Sequence, residues 1–90
     1  MLTLQLPTQI AALADGRRLI QLEATSAQQA FQALDAIAPM VRSQIFDKAG
    51  SVRQFIGLFI NDEQVHDASE LEQVLQPGSS ILVVQSVAGG

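Results

Sequence analysis

No cysteine occurs in the 90 residues, and that one absence removes disulfide staples, zinc–thiolate clusters and thiol nucleophiles together. It fits an intracellular chain. Tryptophan and tyrosine are missing as well, so the aromatic content is four phenylalanines, and the chain offers no stacking platform for bases. Positive charge is scarce. Five Lys and Arg against nine Asp and Glu leave a formal charge of −4, the wrong sign for a surface that binds nucleic acid by neutralising phosphates. No stretch approaches the roughly 18 uninterrupted apolar residues of a membrane span. The opening "MLTLQLPTQIAALADG" has no cation before Arg17, and Thr, Gln and Pro break its apolar run, unlike a secretory signal peptide. These absences lead us to expect a soluble, cytoplasmic protein with no nucleic-acid or membrane role.

What is present suffices for one domain. A chain of this length buries about 60 to 65% of the surface its unfolded form exposes, so it needs no metal to fold. Residues 2–6, "LTLQL", alternate apolar and polar at period two as a half-buried strand does, and Pro7 ends the pairing. Beyond the segment 8–14, Asp15 and Gly16 signal a turn and "RRLIQLE" resumes extended patterning. The pair reads as two antiparallel strands.

Thr25 and Ser26, with Gln28 and Gln29 each three residues on, have the spacing of a capping box. The helix they start carries Ala27, Ala30, Phe31, Leu34, Ile37 and Ala38 on one face, and Gln28, Gln29, Gln32 and Asp35 on the other. Pro39 stops or kinks it, and Val41 and Ile45 suggest a further turn. "FDKAGS" is a polar connection. "QFIGLFIN", apolar on both faces, is the pattern of a strand inside a sheet. "ND" marks a turn, "EQVHD" a short strand, "SELEQVL" about one helical turn, and Pro77-Gly78 a tight turn before the last strand, "SILVVQSV". One mixed sheet of four to five strands with one main helix across one face is the simplest α+β arrangement that buries these patterns.

Inside the chain, chemistry is sparse. His66 stands alone among Asp62, Glu63, Asp67, Glu70 and Glu72, with no second imidazole and no thiol to complete a metal site. No nucleophile elbow accompanies it, and Gly16, Gly50, Gly57 and Gly78 are scattered singly, without a phosphate-binding lysine motif. The acidic stretch 62–72 is compatible both with a solvated surface and with docking to a basic partner. Neither catalytic nor metal-ligating residues are assigned.

The sequence closes on "QSVAGG". A terminal Gly-Gly pair arises by chance in roughly 0.5% of chains, given the ordinary frequency of glycine, and a frayed end tolerates it. Three segments together are more specific: "RQFIGLFINDEQV", "LQPGSSILVV" and the final "VAGG". Through them the chain resembles the MoaD/ThiS sulfur-carrier family, ubiquitin-like β-grasp proteins, over nearly its whole length. Phe55, Ile60, Asn61 and Asp62 with the "VAGG" ending are most similar to the carriers that feed cysteine synthesis. Gly57, His66, Gln85 and Ser86 depart from residues frequent in relatives, and they bear on the choice of pathway.

The resemblance implies a β-grasp domain at residues 1–87 and a flexible tail at 88–90. It also implies a mode of action: a ubiquitin-activating-type adenylating enzyme uses ATP to activate the carboxylate of Gly90, sulfur replaces AMP, and the thiocarboxylate supplies an acceptor enzyme. That acceptor is of the cysteine synthase type or the large subunit of molybdopterin synthase. The chain would then be a protein cosubstrate with no bound cofactor. The alternatives are a small subunit of molybdopterin synthase and a ubiquitin-like interaction module that is never activated. Gly89, Ala88 and Val87 would thread the tail into a narrow site, since glycine has no Cβ to obstruct it. Period two and the similarity to ubiquitin turn Ile81, Val83, Leu58 and Ile60 toward the core, and leave Phe59, Leu82 and Val84 on the open face as a candidate docking patch. The segment 8–14 or a second copy of the chain would be the other possible cover for that face.

Overall fold

The computed structural model describes residues 1–86. Strands β1 (Leu2–Gln5) and β2 (Leu19–Leu22) pair antiparallel, Leu2 facing Leu22 and Gln5 facing Leu19. Pro7 ends β1 and opens a four-residue helix, α1 (Thr8–Ala11), which continues as a 3₁₀ turn over Ala12–Ala14. Asp15 and Gly16, with φ of 56° and 79°, reverse the chain into β2. Ile10, Ala11 and Ala14 are buried in the core, so the segment 8–14 packs on the helical side of the sheet. It does not cover the open face.

Helix α2 (Ala27–Asp35) starts at Ser26, whose Oγ accepts the Gln29 amide at 3.2 Å. The reciprocal contact falls one residue earlier than in a capping box: Gln29 Oε1 accepts from the Thr25 amide at 3.0 Å and the Thr25 hydroxyl at 2.8 Å. Ala27, Ala30, Phe31 and Leu34 are buried. Ile37, expected on that stripe, is 49% exposed. The helix stops at Asp35, and the turn that brings Pro39 to the first position of α3 (Pro39–Ile45) swings Ile37 outward. Ala38 stays buried, its amide held at 2.7 Å by the Leu34 carbonyl. Val41 and Ile45 carry the apolar face onward. Asp35 and Arg42 join the two helices by an ion pair at 3.1 Å, half-exposed and so worth about 0.2–1 kcal/mol. Phe31 meets Phe46 edge to face, ring centres 5.1 Å apart.

Strand β3 (Ile56–Ile60) turns through Asn61 and Asp62, both at positive φ, into the two-residue β4 (Glu63–Gln64). A 3₁₀ turn at Ala68–Glu72 crosses back toward α2, and Pro77-Gly78 leads into β5 (Ser80–Gln85). The five strands lie in the order β2-β1-β5-β3-β4, with β1 and β5 parallel and the other neighbours antiparallel. Leu4, Leu58, Ile81 and Val83 rise from the sheet to meet Phe31, Leu34 and Val41, and all are essentially inaccessible. Each buried side chain of this kind contributes about 1.5–3 kcal/mol. The helices thus cover one face of the sheet and leave the other open.

Candidate functional site

Register builds the open face. Leu19 of β2 lies beside Gln5 of β1, which lies beside Leu82 of β5, which faces Phe59 of β3, which faces Gln64 of β4. The row therefore has apolar side chains in its middle and at its β2 end, where Leu19 is 65% exposed. Two pairs toward the C-terminal end of β5, Val84 faces Gly57. Phe59 and Leu82 are partly buried and Val84 is exposed. The three residues singled out from the sequence accordingly share one surface, with Leu19 as a fourth that strand alternation alone did not single out.

Gly57 explains how they pack. A Cβ built on it would stand 2.7 Å from Val84 Cγ2 and 3.3 Å from Phe59 Cε1. The two side chains thus converge over a residue that has none. Glycine within a strand marks close approach of this kind.

β5 ends beside this patch. Its last bond in the described residues runs from the Ser86 amide to the Phe55 carbonyl, at 2.8 Å. Phe55 has φ of 68° and is 47% exposed, an aromatic ring held out at the same end. Val87, Ala88, Gly89 and Gly90, the tail residues named from the sequence, lie outside the described residues.

The acidic stretch sits elsewhere. Asp62 and Glu63 occupy the β3–β4 turn, at the opposite end of β3 from Phe55. Glu70 caps the 3₁₀ turn: its Oε2 accepts from the His66 amide at 2.6 Å and the Asp67 amide at 2.9 Å. Those backbone bonds, Asp67's the stronger influence and then His66's, hold the Glu70 carboxyl below its ordinary pKa. The His66 side chain is exposed. Among the described residues no three His, Asp or Glu side chains are placed to hold a metal ion. A groove of about 940 Å³ on the helical side, floored by Phe31 and Phe46 and edged by Arg42, Lys48 and Arg53, was not foreseen. Part of its wall is structural: Arg53 Nε donates to the Ser43 carbonyl at 2.7 Å and so caps α3.

The ThiS family pattern matches residues 4–90. The chain belongs to the ThiS family. Among characterised proteins this ThiS-family chain is 22% identical to the sulfur carrier protein CysO of Mycobacterium tuberculosis and to that of Mycobacterium bovis, over 90 residues covering 98% of this chain and 97% of each relative. The crystal structure of Mycobacterium tuberculosis CysO superposes with a TM-score of 0.84 at 19% identity, covering 97% of this chain and all of that one. A chain of the Amycolatopsis orientalis BexX/CysO complex gives 0.84 at 20% identity, with complete coverage of both. SAMP1 of Haloferax volcanii gives 0.76 at 22%, covering 99% of this chain and 98% of that one. These likenesses establish the β-grasp fold that the sequence led us to expect.

Proposed function

We propose that this chain is a sulfur carrier serving cysteine synthesis, with Gly90 as the sulfur-bearing residue. The observation that carries the reading is the family match running from residue 4 through Gly90. The open apolar face beside the end of β5 supports it, because a partner that takes up the chain end also needs a surface to grip.

A free carboxylate is a poor acyl donor, since an oxide would have to leave. Attack of the Gly90 carboxylate on the α-phosphate of ATP releases pyrophosphate and forms an acyl adenylate. A sulfur nucleophile then displaces AMP, which carries one carboxylate oxygen away, and a thiocarboxylate remains. ATP and the catalytic groups belong to the adenylating enzyme. This chain contributes the carboxylate, the threading residues Gly89, Ala88 and Val87, and the docking residues Phe59, Leu82 and Val84. It is a protein cosubstrate of its partners, and an acceptor of the cysteine synthase type takes the sulfur. That one structural neighbour is a complex of CysO with BexX supports a reading in which this chain also meets a partner protein.

Intact-mass measurement after incubation with the activating enzyme, ATP and a sulfur source should show one oxygen exchanged for sulfur at the C terminus. A chain lacking Gly90 should stay unmodified. Equal modification of the shortened chain would overturn the assignment.

A further inference from the structure

Among the described residues every positive φ but one falls on Gly, Asn or Asp, the residue types that accept it with least strain. The exception is Phe55, at 68°. It is the third residue of a turn that the Ile56 amide closes on the Arg53 carbonyl at 3.1 Å, and no other residue of that turn has positive φ. This is the type II arrangement, whose third position favours glycine or asparagine. A phenylalanine there is strained.

The core makes no use of the ring. Phe55 is 47% exposed and is not among the described residues that build the buried cluster or pack against it. The other phenylalanines pack within the domain: Phe31 and Phe46 meet edge to face, and Phe59 lies over Gly57. What the fold uses at position 55 is backbone. The Phe55 carbonyl accepts the Ser86 amide at 2.8 Å, and glycine or asparagine would offer the same carbonyl without the strain.

Position gives the ring a use outside the fold. Ser86 stands four residues before Gly90, a reach of at most about 14 Å for a fully extended chain. An enzyme that holds the Gly90 carboxyl therefore brings its surface within that distance of Ser86, and so to the ring beside it. The activating enzyme meets a plain carboxylate, with no sulfur yet to mark it, and has only the surface of the domain to recognise. Aromatic side chains are the residues that most often anchor such recognition.

We propose that the Phe55 ring is an anchor for the activating enzyme, held outward by its strained turn and received by an apolar pocket of that partner beside the path of the chain end. The proposal rests on the carrier reading and deepens it, adding to Phe59, Leu82 and Val84 a contact at the root of the tail.

Replacements that separate ring from backbone test it. Phe55→Gly and Phe55→Asn accept positive φ and keep the carbonyl for Ser86, so both should unfold at the wild-type denaturant concentration or a higher one. In ATP–pyrophosphate exchange with the activating enzyme, both should raise the KM for the chain at least about fivefold, the loss that marks an interface anchor. Phe55→Tyr, which keeps the ring, should stay near the wild-type KM. A lowered denaturation midpoint in both the Gly and Asn variants assigns the ring to the fold and overturns the proposal. Wild-type KM in both, with sulfur still loaded on Gly90, also overturns it and leaves the carrier reading standing. An effect confined to the later transfer of sulfur to the acceptor enzyme places the anchor in that other partner, and so overturns the proposal as well. Failure to load the wild-type chain overturns both readings.

Discussion

Gly57 sits under two side chains, and its hydrogen is a structural feature. An alanine there gains about 0.5–1 kcal/mol from a stiffer backbone, while the added Cβ, 2.7 Å from Val84 Cγ2, forces Val84 off its rotamer at about 0.5–1.5 kcal/mol. The terms nearly cancel. Gly57→Ala should therefore change stability by less than about 1 kcal/mol in chemical denaturation while displacing Val84 and Phe59. Shifted Val84 methyl resonances and weaker binding to the activating enzyme should follow. At the same scale, Ile37 shows how one residue escapes a periodic pattern: it follows the end of α2, where the 3.6-residue repeat no longer sets its direction.

Among the elements, the 3₁₀ turn at Ala68–Glu72 resolves the local part of the acidic stretch. Glu70 and Asp67 cap that turn, Asp67 Oδ1 accepting the Ser69 amide at 3.0 Å. Because the Glu70 carboxyl has a folded pKa below its ordinary 4.5, its ionised form is the one the fold favours. The cap is therefore fully effective above the ordinary glutamate range and is lost as pH falls through the lowered value. Amide exchange corrected for intrinsic rates should show the His66 and Asp67 amides deprotected in that acidic window, and Glu70→Gln should abolish the pH step. β4 and its turn were legible beforehand because Asn61 and Asp62 tolerate positive φ. α1 was not, since "TQIAALA" has neither an N-cap side chain nor enough length to show a helical period.

For the whole molecule, adjacent residues of β3 divide the work between two faces. Leu58 is wholly buried against the helices and Phe59 is partly exposed on the open side. Leu58→Ala should cost about 2–5 kcal/mol of stability while leaving the affinity of the folded fraction unchanged. Phe59→Asp should cost less stability and most of the binding. Denaturation midpoints and direct binding of each variant to the activating enzyme check this inversion of rank. The docking face proposed above requires such a division, one face staying open while the other closes the core.

Composition and periodicity alone determined the single α+β domain, the strands and the main helix, because apolar spacing reports which face each element buries. Only the tertiary structure placed the segment 8–14 on the helical side and brought Leu19 into line with Leu82 and Phe59. These are facts of register between strands distant in sequence. No local pattern encodes register: it is decided by the packing that makes all the buried faces meet at once.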